Sequence, residues 1–349
     1  MKIYTLDIRI NQSIFLLYNL ETINNLIDYL CKKATTCKFL IVCSFLVAHI
    51  ICTGQNDKNQ VNLDKVIKME NTAGDILNIK RFGNQGETLI LIHGLGSNSK
   101  AWQKLTPYLE NEFIIYTVDL PKYLDREDKS LVSIKEYAKL LGRFISELNV
   151  NKAHLVGHSM GGQIAINLTI EQPDIIASLS LLAPAGFEQF SKSDKNWFNT
   201  WVTKKYYLSL TDEAISKSFD INFYGSKLPA DANFMLEDRL ALKIDSVRYS
   251  RYLDYVVQSV NSMLEQTVYE GLPEIKVPTI VLFGSDDLLI PNKILHPQLT
   301  VEDILNISQN IPDSEKHLIS QAGHFMQWDK PVEIAKHLST FFHKNFTNE

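Results

Sequence analysis

Short apolar runs alternate with longer amphipathic stretches along most of this chain. Val66 to Met69 and Ile76 to Arg81 flank Asn71-Thr72-Ala73-Gly74-Asp75, which predicts a β-hairpin. Thr88-Leu89-Ile90-Leu91-Ile92 and Phe113 to Val118 read as buried strands. From about Ile134 to Leu148 the period changes: Tyr137, Leu140, Leu141, Phe144 and Ile145 fall on one helical face. A strand over Ala153–Val156, a helix over Met160–Glu171 and a strand over Ser178–Leu182 follow. After a gap, Ile280–Phe283 and His317–Ser320 give two further strands. Strands alternating with helices predict a mostly parallel sheet covered on both faces, with its ligand site at the carboxyl ends of the strands.

The alternation stops between Ala183-Pro184-Ala185-Gly186-Phe187 and Val277-Pro278. Roughly 90 residues there read as helices and loops without a strong strand. Their aromatics, among them Phe187, Phe190, Trp197, Phe198, Trp201, Tyr207, Phe219 and Phe223, are expected mainly to pack this segment on the core, and together to line an apolar pocket.

The strongest local signal is Leu155-Val156-Gly157-His158-Ser159-Met160-Gly161-Gly162. A G-x-S-x-G between a strand and a helix sets the serine on a sharp turn. Its hydroxyl then leaves the sheet over the positive end of the next helix, a suitable place for a nucleophile that develops negative charge. The flanking glycines allow backbone to pack where a Cβ would clash. Three further signals fall just past predicted strands: His93-Gly94-Leu95-Gly96, Gly284-Ser285-Asp286-Asp287 with Ile290-Pro291, and Ala322-Gly323-His324. A serine hydroxyl is almost never ionised at neutral pH. It needs an imidazole as base and a carboxylate to orient that imidazole.

The chain order Ser, Asp, His with these strand-end motifs resembles the α/β-hydrolases, over roughly residues 62 to 345. The resemblance implies an α/β fold: a mostly parallel central sheet flanked by helices, with a helical cap inserted at 186–276 between core segments 62–185 and 277–349. It implies Ser159 as nucleophile, His324 as general base and Asp287 as the acid, selected by the pattern G-x-x-D, apolar residue, proline; Asp286 is the alternative. Backbone N–H groups of Leu95 and Met160 are the expected oxyanion hole, with Gly96 competing for the first position. His93 is expected to be structural, and His158 is the variable residue of the elbow. His154, His296, His317, His337 and His343 lack motif context. Many relatives carry Asp-Leu-Pro-Gly-x-Gly after the strand ending at Asp119; here Pro121 is followed by Lys122-Tyr123-Leu124. A serine at the nucleophile position argues against the dehalogenases and epoxide hydrolases of the family, which use aspartate.

The implied activity is hydrolysis of a carboxylic ester of a fairly apolar small molecule, with no cofactor and no metal required. An alternative is a carbon–carbon bond hydrolase of the meta-cleavage type, which the run Gly323-His324-Phe325-Met326-Gln327-Trp328 resembles. Such enzymes hold a substrate carboxylate with a cap arginine, for which Arg239, Arg248 and Arg251 are candidates. A non-catalytic binding module on the same fold is the competing class.

Composition narrows this further. The chain has 349 residues, 45% hydrophobic and 21% charged, with a formal charge of −5, and no basic block supports nucleic-acid binding. All four cysteines, Cys31, Cys37, Cys43 and Cys52, lie in the N-terminal extension of residues 1–54, so the hydrolase segment has no thiol nucleophile or disulfide. Within that extension, residues 39–52 form an apolar run behind Lys32, Lys33 and Lys38 and ahead of a polar stretch. The pattern is that of a signal-peptide core, shorter than a full membrane span. It predicts export or membrane attachment, by cleavage after the run, by lipid attachment at Cys52, or as an uncleaved anchor. A buried helix of the domain is the alternative reading.

Overall fold

The computed structural model describes residues 67–70, 76–122, 124 and 132–346. The chain divides into two units, Met1–Leu63 and Asp64–Glu349, and every described residue belongs to the second. The extension at 1–54 and its apolar run at 39–52 lie outside the described residues. Among the described residues, no helix is long and apolar enough to cross a membrane.

Eight strands form one sheet among the described residues: β1 (Ile67–Glu70), β2 (Ile76–Phe82), β3 (Thr88–Ile92), β4 (Ile114–Asp119), β5 (Ala153–His158), β6 (Ile176–Leu182), β7 (Thr279–Gly284) and β8 (Ser314–Ile319). Their order is β1-β2-β4-β3-β5-β6-β7-β8. β1 and β2 pair antiparallel with Ile67 opposite Ile79, as the hairpin pattern predicts, and β2 pairs antiparallel with β4. All other pairs are parallel. Every residue of β3, β5 and β7 is buried, which is why Leu89–Ile92 and Ile280–Phe283 read as unbroken apolar runs, while β5 also buries His154 and His158. At the edge, β8 buries only Ile319 fully; its polar start, Ser314-Glu315-Lys316, hides the first half of the strand from a hydrophobic reading.

β4 lies on one side of β3 and β5 on the other. The chain therefore leaves β3 and β5 in opposite directions, and a crevice opens at their carboxyl ends. Those ends carry His93-Gly94-Leu95 and Ser159.

Helix α1 (Ile134–Glu147) starts at Ser133, whose side chain accepts from the Glu136 N–H, and buries the face expected from its period. Helix α2 (Met160–Glu171) is buried from Met160 to Thr169, so it is a core helix without a polar face. The segment from 183 to 278 holds helices α3 (Lys192–Trp201), α4 (Lys204–Leu208), α5 (Asp212–Asp220), α6 (Phe234–Ile244) and α7 (Ser246–Glu265), and no strand.

α7 is tied into the core. Tyr249, Tyr252, Leu253, Tyr255 and Val256 join the main hydrophobic cluster. Ser262 Oγ accepts from the Ile134 N–H at 2.9 Å, and Gln163 Nε2 on α2 donates to the carbonyls of Met263 and Gln266, each at 3.0 Å. A second, smaller cluster joins Phe223, Ala232 and Met235 to Ala101, Phe325 and Trp328 beside His324. The fold closes with α8 (Val301–Asn306), α9 (Met326–Asp329) and α10 (Pro331–Phe346).

Candidate active site

Ser159 sits at φ 53°, ψ −121°, between β5 and the first residue of α2. Positive φ at a non-glycine residue is strained, and the surroundings hold it. Its N–H donates to Leu182 O at 3.0 Å, and its carbonyl accepts from Gly162, Gln163 and Ala185 N–H groups. The glycines of the motif are there for close approach. A Cβ on Gly157 would lie 2.5 Å from Gly161 O, and one on Gly161 would lie 2.2 Å from Ile92 O. The turn thus packs flat against the end of β3.

His324 and Asp287 come together from the loops after β8 and β7. His324 Nδ1 and Asp287 Oδ2 are 2.8 Å apart and both residues are buried. The other carboxylate oxygen accepts from the Leu289 and Ile290 N–H groups at 2.8 and 3.0 Å, so the loop itself orients Asp287. Asp286 is exposed and accepts from Ser285 Oγ at 2.6 Å. Of the two sequence candidates, only Asp287 meets the histidine.

Ser159 and His324 line one cavity of about 320 Å³, together with Phe190, Phe198, Met263 and Leu264. Leu95 lines it as well, and Met160, as the first helical residue, has no acceptor for its N–H inside α2. Leu95 follows the carboxyl end of β3, and Met160 opens α2.

His93 is structural, as expected. It is fully buried, its Nδ1 lies 2.7 Å from Gly94 O, and its Nε2 accepts from the Leu120 N–H at 3.1 Å, joining the ends of β3 and β4. Burial, helped by the Lys122 ammonium, lowers its pKa to about 4.

Three features of the site escaped the sequence reading. His158 is fully buried, with Nε2 2.9 Å from the His324 carbonyl and its ring 4.8 Å from the His324 ring. Burial and the neighbouring imidazole push its pKa well below the usual histidine range, so it braces the His324 loop as a neutral donor. Glu188 lines the Ser159 cavity, accepts from the Asn292 N–H at 3.0 Å and lies 2.6 Å from His296 Nδ1; burial raises its pKa. Asp329 accepts from the Gly323 and Tyr224 N–H groups at 2.8 and 2.9 Å, fastening the inserted segment to the His324 loop. No spacing rule marks the His158 and Glu188 contacts, which join residues far apart in the chain; Asp329 meets Gly323 locally and Tyr224 at long range.

The arginines divide. Arg239 and Arg248 line a second cavity of about 770 Å³, which meets the first at Leu95, Asn222 and Phe325. Arg251 donates to Leu124 O at 3.2 Å. None of the three lines the Ser159 cavity. Of the inserted aromatics, Phe187 and Phe223 are buried, while Trp201 stands 56% exposed and belongs to neither cavity wall.

Sheet topology, elbow and strand-end loops together define a class. The chain belongs to the α/β-hydrolase family: the model of the alpha/beta hydrolase fold matches residues 87–331. Among its relatives are a 2-hydroxy-6-oxo-6-phenylhexa-2,4-dienoate hydrolase of Comamonas testosteroni, 25% identical over 78% of this chain and 94% of that one. A monoacylglycerol lipase of Rattus norvegicus is 25% identical over 71% of this chain and 73% of the lipase. In fold it is similar to an esterase of Thermogutta terrifontis, with a TM-score of 0.62 and 21% identity over 81% of this chain and all of that one.

Proposed function

We propose that this hydrolase cleaves a carboxylic ester of a fairly apolar small molecule through an acyl-enzyme. Ser159 Oγ attacks the carbonyl carbon while His324 Nε2 takes its proton. Asp287 holds the Nδ1–H tautomer and stabilises the imidazolium. The Leu95 and Met160 N–H groups receive the charge that develops on the carbonyl oxygen. His324 then protonates the departing alcohol, and the same base activates the water that frees the acid.

One observation carries this reading. Ser159 lines a mainly apolar cavity beside an imidazole whose far nitrogen is bonded to a buried carboxylate. The cavity volume is near the lower end of small-molecule sites, which suits a short to medium acyl chain. The second reading, carbon–carbon cleavage, is favoured by the dienoate hydrolase relative. It is weakened because no arginine among the described residues lines the Ser159 cavity.

The test is hydrolysis of a p-nitrophenyl ester series from acetate to palmitate, with Ser159→Ala alongside. We expect an optimum among the short and medium acyl chains and a loss of at least about 1,000-fold in the variant. Turnover that survives in Ser159→Ala would refute the serine mechanism. No turnover of any ester, with Ser159 still labelled by a fluorophosphonate, would move the assignment to carbon–carbon cleavage.

A further inference from the structure

Asn292 to His296 form a turn on the loop that carries Asp287. The turn has little apolar packing of its own: Lys293 is in solvent and Ile294 stands 72% exposed. It closes on Asn292, whose carbonyl accepts from the His296 N–H at 2.8 Å. Asn292 Oδ1 accepts from the Ile294 and Leu295 N–H groups at 3.0 and 3.2 Å. Glu188 grips both ends of this turn. Each of its oxygens lies 3.0 Å from the Asn292 nitrogen, and Oε1 lies 2.6 Å from His296 Nδ1. An ionised carboxylate only accepts, so Nδ1 carries the proton. The far nitrogen, Nε2, lies 3.5 Å from Asp194 Oδ2 in the first turn of α3, and the ring stacks on Phe190 at 5.5 Å.

Glu188 is itself anchored beside the nucleophile. Three residues earlier, the Ala185 N–H donates to the Ser159 carbonyl at 3.0 Å, and the Ala183 N–H donates to Leu282 O on β7 at 2.8 Å. Phe187, next to Glu188, is fully buried. The segment 183–188 therefore runs from the serine turn to the acid loop, pinned along its length. On that loop Asp287 holds the Leu289 and Ile290 N–H groups. Pro291 has no N–H to offer, and Glu188 takes the next one, at Asn292. Two carboxylates thus hold successive donors of one stretch of chain, one from within the loop and one from the serine side. Burial raises the Glu188 pKa, and His296 and the Asn292 N–H oppose it. Without the imidazole, an enclosed carboxylate loses a donor and the turn loses one of its two ties.

We propose that Glu188 and His296 are positioning residues that fix Asp287 against His324 by holding its loop to the serine turn. The inference rests on the Ser159, His324 and Asp287 reading and deepens it. A triad tolerates little slack, since a displacement of about 1 Å can cost on the order of 100-fold in rate. His296 is not part of the Ser159 cavity wall, so a substitution there alters the loop without altering what a substrate touches.

The experiment measures, on the full chain, the rate at which a fluorophosphonate labels Ser159. Labelling needs the base and its carboxylate but no particular substrate, so it reads the triad whichever bond the enzyme cleaves. We expect His296→Ala to be labelled about 10- to 100-fold more slowly than the unaltered protein. His296→Asn, whose amide can donate to Glu188 in place of Nδ1, should recover most of that loss. In an Asp287→Asn background His296→Ala should have little further effect, because residues that act as a unit are not additive. An unchanged rate in His296→Ala overturns the inference. So does a loss of equal size with and without the Asp287 carboxylate, which marks a merely structural role. If circular dichroism shows that His296→Ala does not fold, Glu188→Gln decides. It keeps an oxygen for the Asn292 N–H and removes the charge that holds the imidazole; slower labelling supports the inference and an unchanged rate overturns it. Labelling untouched by Asp287→Asn alone is a separate result: it overturns the triad reading, and leaves His296 nothing to act through.

Discussion

At Asp287 a single carboxylate does two things. One oxygen meets His324 Nδ1 at 2.8 Å and the other closes its own loop on the Leu289 and Ile290 N–H groups. Asp287→Asn keeps the loop acceptor but turns an amide or carbonyl at random toward the imidazole, so the wrong tautomer is favoured. We expect kcat to fall by roughly 1,000- to 10,000-fold with KM nearly unchanged, as steady-state kinetics on p-nitrophenyl esters would register. A fall below about ten-fold would remove Asp287 from the mechanism. In the sequence, Asp286 and Asp287 differ only by family pattern. In the structure, the carboxylates of these neighbours lie one in solvent and one inside. His158 shows the opposite case: a residue that reads as the variable member of G-x-S-x-G turns out to brace the His324 loop, 166 positions away.

Among the elements, α7 carries more than the helical insertion pattern implies. It belongs to the main core cluster and its C-terminal end receives the first N–H groups of α1. The Ile134 N–H is buried and Ser262 Oγ is its acceptor, so Ser262→Ala leaves a buried donor unpaired. A loss of about 1–3 kcal/mol is expected, measured from denaturant midpoints. Gln266→Ala removes the acceptor of the exposed Lys135 N–H, where water substitutes, and should cost under about 0.5 kcal/mol. Equal costs for the two would show that burial of this junction does not matter. The strands and helices themselves were legible because their periods are local. Only their ends moved: β5 runs to His158 and β8 starts at Ser314, where ladder hydrogen bonds continue past the apolar run.

Across the whole molecule, three fully buried histidines make stability depend on pH. Burial lowers the pKa of His93 and of His154 to about 4 and that of His158 well below 6.5. Between about pH 6.5 and 4 the unfolded chain takes up protons that the native imidazoles refuse, so native stability falls as pH drops through that window. Glu188 and Asp329, raised by burial, act in the opposite sense, but they are two against three and less deeply enclosed than the histidines. Denaturant unfolding should therefore lose on the order of 2 kcal/mol per histidine between about pH 7 and 5. A midpoint constant over that range would show that these imidazoles are not held neutral.

The sequence by itself determined the alternating strands and helices, the order of Ser159, Asp287 and His324, and the break in the pattern before β7. All of these depend on periodicity, turn chemistry and chain order, which neighbouring residues encode. Tertiary structure alone decided what His158 and Glu188 touch, and that Lys122 and Arg239 line one recess. Those contacts join distant parts of the chain, as the 128 positions between Ile134 and Ser262 illustrate. Their chemistry comes from burial and convergence, which exist only once the sheet has brought its loops to one end.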